Sequence, residues 1–237
     1  MPSRRHLLLG AGASLLAHGA TAAGLSARPR LVELFTSQGC SSCPPADRLL
    51  GELARRDDVI ALAFHVDYWD HLGWRDPYAQ RVFTERQRAY QRSLRARHVY
   101  TPQMVIDGVH DVVGSDRAAV VERLRGAPAV APVTVGLTSG AAGTVLRIEG
   151  EAPNAEIWVA RFDRRRETPI ARGENAGRTL EEFHIARGLL RLAAWSGGRF
   201  ERRLATADLP GEGDRLAVWV QTAGLGPVLG AAAASLA

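Results

Sequence analysis

Cys40 and Cys43 are the only cysteines in the chain, and Ser41 and Ser42 separate them. A thiolate is both nucleophile and leaving group toward sulfur, so two neighbouring thiols can exchange with a disulfide in two steps. The first thiol attacks to form a mixed disulfide, and the second displaces it. Closing so small a ring removes little entropy from the unfolded chain, which makes structural stapling a weak reason for the pair. Redox chemistry is the stronger reason. Cys40 is the expected exposed nucleophile and Cys43 the expected resolving thiol, with the two serines offering hydroxyl donors to a thiolate.

The chain also has seven histidines. Cys40 and Cys43 with His65 or His71 would make a soft copper or zinc site. Only two thiolates are present and no histidine pair has ligand spacing, so no metal site is assigned and no cofactor is expected. A metal-binding, chaperone-like protein using the same thiols stands as an alternative reading, as does a non-catalytic interaction module.

These residues need elements to hold them. Residues 31–36 form a strand candidate running straight into the dithiol, and 45–56 read as a helix carrying leucines at 49, 50 and 53. Residues 59–66 are almost continuously apolar, as in a strand buried on both faces. That is a βαβ unit, and C-x-x-C between its first strand and helix is a thioredoxin-like redox signature. Cys43 is followed by Pro44 and Pro45. A residue before proline avoids the helical region, which places the helix start at Pro45 and leaves the dithiol in a turn above it.

Asp76-Pro77 is expected to open an inserted helix over 77–97, with Val82, Phe83, Tyr90 and Leu94 inward and its arginines solvated. Two strands follow, at 103–106 and 109–113, around Asp107-Gly108, a hairpin signal. Ser115 is placed to cap a last helix through 124. Thioredoxin-like proteins carry a cis-proline before the strand facing the dithiol, which assigns Pro102, after Thr101, to the catalytic set with Cys40 and Cys43. Asp67, Tyr68, Trp69 and Trp74 follow the second parallel strand, where ligands bind in open α/β sheets. With Thr101 they are the candidate substrate-binding wall; capping the core is the alternative use for both tryptophans.

Beyond residue 132 the pattern changes to short alternating runs at 133–137, 144–148, 156–162, 200–204 and 216–220. The expected architecture is therefore an α/β thioredoxin-like domain (28–126), a proline-bearing linker (127–132) and an all-β antiparallel sandwich (133–237). Residues 173–180 read as a loop, either closed by its own hydrogen bonds or docking the sandwich against the dithiol.

Several stretches together resemble a bacterial secreted family known only as a domain of unknown function. They are Cys40-Ser41-Ser42-Cys43-Pro44-Pro45, His65-Val66-Asp67-Tyr68-Trp69-Asp70, Tyr100-Thr101-Pro102-Gln103-Met104 and Gly173-Glu174-Asn175-Ala176-Gly177-Arg178-Thr179-Leu180. The resemblance implies a thioredoxin-like fold and brings no substrate with it.

Composition bounds the rest. The 237 residues carry 30 Lys+Arg, all of them arginine, against 25 acidic residues. No basic stripe interleaved with aromatics occurs, which excludes nucleic acid as a partner. Arg4 and Arg5 precede an apolar run, so 1–27 reads as a signal peptide, in a form resembling a twin-arginine signal. The run is too short to span a bilayer comfortably and no later segment is long enough, so an integral membrane protein is not expected. The expected location is periplasmic or secreted. Expected partners are protein or small-molecule thiols and disulfides, with a periplasmic electron donor or acceptor.

Overall fold

The structure, a computed structural model, describes residues 28–125, 132–141 and 143–236. The leader at 1–27 and the linker up to residue 131 lie outside the described residues.

Strand β1 (Arg30–Thr36) is buried throughout, and its side chains alternate between two faces. Leu31, Glu33 and Phe35 face one way, Val32 and Leu34 the other. On the second face Leu34 joins Leu50, Ala61, Met104, Ile106, Val120 and Leu124. That core is closed by helices α1 (Pro44–Leu53) and α3 (Arg117–Arg125). On the first face Leu31 and Phe35 pack with Phe64, Phe83 and Tyr90 under helix α2 (Arg81–Ser93). Strand β2 (Val59–His65) lies parallel to β1, and β3 (Gln103–Ile106) lies antiparallel on its other side. β4 (His110–Val113) pairs antiparallel with β3.

The expectation of a free-standing sandwich needs correction. Of the later strands, β7 (Ala155–Pro169), β8 (Thr179–Trp195), β10 (Arg215–Thr222) and β11 (Val228–Ser235) continue the first sheet. Its order is β11-β10-β7-β8-β2-β1-β3-β4, joined where β8 runs parallel to β2 at Ala63 and Ile185. The reason is burial: the β2 edge needs a backbone partner, and the aromatic core beneath α2 needs a cover. Ala160, Phe162, Ala217 and Trp219 supply it. A sandwich does exist farther along. Strands β5 (Val133–Gly140), β6 (Gly143–Gly150) and β9 (Gly198–Leu204) form a three-stranded sheet. They share with β7 and β10 a core of Leu146, Ile148, Ile157, Val159, Val218 and Val220. The architecture is a mixed, sheet-rich α/β fold with one large and one small sheet.

Three helix starts differ from expectation: α3 is capped by Asp116 rather than Ser115, with Asp116 Oδ1 accepting from Ala119 N–H (3.0 Å). Helix α1 begins at Pro44, with Cys43 as N-cap in the helical region (φ −78°, ψ −36°). Both prolines fall in the first turn, where a backbone N–H has no intrahelical acceptor, so neither breaks the helix. Helix α2 begins at Arg81 rather than Pro77. Asp76 Oδ1 does accept from Tyr78 N–H (2.9 Å), but the turn it closes does not continue as helix, and Oδ2 is bound by Gln38 and His65.

The solvated-arginine reading of α2 also fails at one position. Arg86 is buried, and its Nε donates to Glu33 Oε1 at 2.5 Å. Its Nη2 donates to Tyr90 Oη (3.2 Å) and Gln221 Oε1 (3.0 Å), while Tyr90 donates to Glu33 Oε2. Its guanidinium carbon lies 4.8 Å from the Trp158 ring centre and 5.2 Å from that of Trp219. This cluster ties β1, α2, β7 and β10 together. Removing one charge from such a pair strands the other in a low-dielectric interior. Glu33→Ala is therefore expected to cost about 3–5 kcal/mol in urea unfolding. Glu201→Ala, in an exposed pair with Arg147, is expected to cost under about 1 kcal/mol; equal losses would contradict this reading.

Candidate functional site

After β1 the chain turns tightly. Cys40 N–H donates to the Ser37 carbonyl (3.1 Å), and Cys43 N–H to the Cys40 carbonyl (3.2 Å). Helix α1 then begins with Ala46 N–H on the Cys43 carbonyl (2.8 Å). Cys40 and Cys43 are joined by a disulfide at this strand–helix junction.

Cys40 was expected to be exposed, and it is not. Both cysteines have 0% exposure, while Ser41 and Ser42 face solvent. The cover comes from far along the sequence, in the loop between β7 and β8. Asn175, itself buried, donates from Nδ2 to the carbonyls of Gln38 (2.9 Å) and Cys40 (3.0 Å). Ser41 N–H donates to Glu174 Oε2 (3.0 Å), and the Ser41 hydroxyl together with this N–H holds that carboxyl below its ordinary range. Local bonds shape the same loop: Ile170 N–H reaches the Arg178 carbonyl (2.8 Å), and Arg178 Nη1 reaches Asn175 Oδ1 (2.9 Å). The two readings of this segment thus hold together, because a self-closed loop is docked on the dithiol turn. Gly173 makes the docking possible. It sits at φ +79°, and a Cβ there would lie 3.1 Å from Trp74 Cβ.

Beneath the turn lies a buried polar network. Asp76 Oδ2 accepts from Gln38 N–H (2.8 Å) and His65 Nδ1 (2.7 Å), and Oδ1 accepts from Tyr78 N–H (2.9 Å). Gln38 Nε2 donates to Glu182 Oε2 (2.8 Å), and Trp74 Nε1 donates to Gln38 Oε1 (2.9 Å). On α1, Asp47 accepts from the Thr36 hydroxyl (2.8 Å). Burial pulls the His65 imidazole down, but Asp76 beside it, with Glu182 and Asp47, outweighs this and raises it to about 9. Burial and Glu182 push Asp47 up to about 7. The sequence raised His65 as a candidate metal ligand and did not point to Asp47 or Glu182. The proximity of Asp47 to the dithiol was readable, since it lies one helical turn past Cys43. That of Glu182 was not, because it depends on β8 joining the sheet.

The expected wall residues take separate places. Asp67 Oδ1 accepts from the Thr84 hydroxyl (2.6 Å), fixing the 3-10 turn Asp67–Leu72 to α2. Trp69 donates from Nε1 to Thr101 Oγ1 (2.9 Å), and a Cβ on Gly39 would meet Trp69 Cβ at 3.0 Å. Trp69 and Thr101 therefore stand beside the turn, and Trp74 is bound to it through Gln38. Tyr68 is half-buried against the α2 core. The Thr101–Pro102 peptide is cis, and the Pro102 carbonyl accepts from Gly114 N–H (2.8 Å). Among the described residues no three His, Cys, Asp or Glu side chains converge as metal ligands, and no helix is long and apolar enough to cross a membrane.

Fold and site define a mixed α/β protein with a C-x-x-C disulfide at a strand–helix junction. The chain belongs to the family described as protein of unknown function (DUF1223), whose pattern matches residues 31–221. It is similar to protein AGR_C_4864 from Agrobacterium tumefaciens, known from an X-ray crystal structure, at 30% identity and TM-score 0.76. That match covers 87% of this chain and 93% of the other. HBP35 of Porphyromonas gingivalis shares the fold at 12% identity and TM-score 0.59, over 88% of this chain and 75% of that one. No curated protein matches in sequence.

Two outcomes follow from this geometry. Asn175→Ala removes two hydrogen bonds worth about 1 kcal/mol each, so dithiothreitol is expected to reduce the Cys40–Cys43 disulfide about thirtyfold faster; an unchanged rate would show that the loop does not limit access. The second concerns pH. The folded protein holds the His65 proton more tightly than the unfolded chain does, so this stabilisation is complete below 6.5 and is lost as pH rises through about 9. Asp47, kept protonated toward pH 7, acts in the same direction at lower pH. The Tm of the oxidised protein is expected to fall between pH 6.5 and about 9, and His65→Gln is expected to flatten that fall. Equal slopes in the two proteins would contradict it.

Proposed function

We propose that this protein is an exported thiol–disulfide oxidoreductase with a thioredoxin-like core, working in the periplasm or outside the cell. The observation carrying the proposal is the Cys40–Cys43 disulfide between the end of β1 and the first turn of α1. Support for the core comes from the order β2-β1-β3-β4, with β3 antiparallel to β1 and α3 following β4. The positive start and apolar run of residues 1–27 support export.

In the reduced protein the Cys40 thiolate attacks a substrate disulfide. A Cys40–substrate sulfur bond forms, the substrate's own S–S bond breaks, and one substrate sulfur leaves as thiolate. The Cys43 thiol then loses its proton and attacks Cys40 sulfur, closing the protein disulfide and releasing the second substrate thiolate. Two electrons pass from protein to substrate, and a periplasmic dithiol partner returns two electrons to the pair by the same exchange, itself becoming a disulfide. Pro44 and Pro45 carry no N–H, and the Ala46 and Asp47 N–H groups bond the Cys43 carbonyl (2.8 and 3.2 Å), so the first turn of α1 offers the sulfurs no free amide. Ser42 Oγ lies 3.3 Å from Cys40 Sγ, within reach of the developing charge. Trp69, Thr101 and Trp74, which stand at the dithiol turn, form the substrate wall, and Pro102 completes the catalytic set.

The test equilibrates the mature protein with glutathione buffers, traps thiols with maleimide and reads mass. A single two-electron transition confined to Cys40 and Cys43 is expected. Cys43→Ala should accumulate a mixed disulfide on Cys40, and Cys40→Ser should abolish disulfide reduction in insulin. A disulfide inert to glutathione and dithiothreitol in the folded chain, or insulin reduction surviving Cys40→Ser, would overturn the proposal.

A further inference from the structure

A cavity of about 600 Å³ opens on the α2 side of the large sheet, lined from α2, β7, β8 and the β10–β11 turn. Its walls are apolar, formed by Val82, Ala89, Trp158, Leu189 and Leu225. Arg86 also lines it, with a side chain only 2% exposed. The Nε and Nη2 of Arg86 are committed to Glu33, Tyr90 and Gln221. Its Nη1 has no hydrogen-bond partner, and neither has the indole Nε1 of Trp158. These two nitrogens belong to groups stacked on each other, 4.8 Å apart from guanidinium carbon to ring centre.

Buried donors without acceptors cost free energy, and because both nitrogens are closed to solvent, an entering acceptor satisfies them by parting the stacked side chains that cover them. Both orphaned groups are donors, so the occupant must bring acceptor oxygen rather than N–H. The walls require the rest of the occupant to be apolar. Charge fixes the head group. The acidic rim residues are each held by an arginine, Glu85 by Arg81 (2.9 Å) and Glu156 by Arg191 (2.8 Å). Glu33 offsets Arg86, which leaves Arg92 at the rim as the positive excess. We propose that this cavity is a binding site for a small amphipathic monocarboxylate, its carboxylate on Arg86 Nη1 and Trp158 Nε1 and its apolar body against Val82, Ala89, Leu189 and Leu225. The site is separate from the dithiol and does not depend on the redox proposal.

Octanoate is the probe, titrated into the full chain by calorimetry and by tryptophan fluorescence, with octanol as the neutral control. Octanoate is expected to bind at least tenfold more tightly than octanol. Trp158→Phe keeps the ring and removes the N–H, and is expected to weaken octanoate about five- to tenfold. Ala89→Trp fills the cavity from α2 and is expected to abolish binding. Leu189→Trp fills it from β8, so a folding defect in one variant, seen by circular dichroism, leaves the other to decide. Absence of octanoate binding, equal affinity for octanol, undiminished affinity in Trp158→Phe, or binding that survives the filled cavity would each overturn the proposal.

Discussion

A carboxylate at the centre of this structure is buried without being neutralised. Asp76 is 3% exposed, and burial alone would raise its pKa, yet His65 and the N–H groups around it hold it below the ordinary range. One oxygen, Oδ2, takes both the Gln38 N–H and His65 Nδ1. The loop leaving β1 and the end of β2 are therefore pinned to a single atom. Gln38 carries the constraint outward, because its side chain reaches Glu182 on β8 and Trp74 on the loop after the 3-10 turn. Cys40 lies two residues beyond Gln38, so the place of the dithiol relative to three separate segments follows from one anchored amide. The hydrogen-bonded members of this network fix the geometry, while His65 Nε2, 3.7 Å from Glu182 Oε1, is held by charge without a hydrogen bond.

The same logic holds the two halves of the chain together on the other face. Glu33 sits among apolar neighbours on β1 and is acceptable there only because Arg86, Tyr90 and, through them, Gln221 complete its environment. Gln221 belongs to β10. A segment ending near residue 126 would keep Glu33 and Arg86 while losing Gln221, Trp219 and Trp158. The expectation that the first hundred residues form an independent unit thus conflicts with where this cluster finds its partners. Arginine suits the position better than lysine would, since a planar guanidinium stacks on indole rings while donating in its own plane.

Much of the first half was legible because its signals are local. The apolar run of β2, the Asp107-Gly108 hairpin and the strand leading into C-x-x-C each depend on neighbours within a few residues. Pro44 and Pro45 misled by one position, since a rule about residues before proline was weighed above the tolerance of a helix's first turn. The missed strands had weaker patterns. β11 is rich in alanine, and its Gly230 permits an approach that a side chain would block, a Cβ there lying 2.3 Å from the Val133 carbonyl. Such residues score poorly as strand formers, yet they are what close layer packing requires. β8 carries Glu181, Glu182 and His184 among its apolar residues, so its alternation is broken where it serves the site. Asn175 gave no chemical signal, because an asparagine in a glycine-bearing loop reads as a turn. Its role depends on a fold in which residues 38 and 175 meet.

Burial of the dithiol and the proposed exchange chemistry are compatible on energetic grounds. The covering loop holds the turn through two hydrogen bonds from Asn175 and one to Glu174. At a net value of about 0.5–1.5 kcal/mol each, the two buried Asn175 bonds favour the closed form by roughly 1–3 kcal/mol. That corresponds to an open fraction on the order of one in ten down to under one in a hundred. Such openings need no rupture of the sheet, because Asp76, His65 and Gln38 stay in place beneath the turn while the loop lifts from above. Two carbonyls of the turn, those of Gln38 and Cys40, are freed when Asn175 leaves, and an extended peptide can occupy them with its own N–H groups. A substrate able to replace Asn175 in this way would recover the free energy of opening, while a bulk oxidant or a small thiol would not. In the proposed exchange, the cover would act as a filter set by backbone hydrogen bonding rather than by the size of the opening.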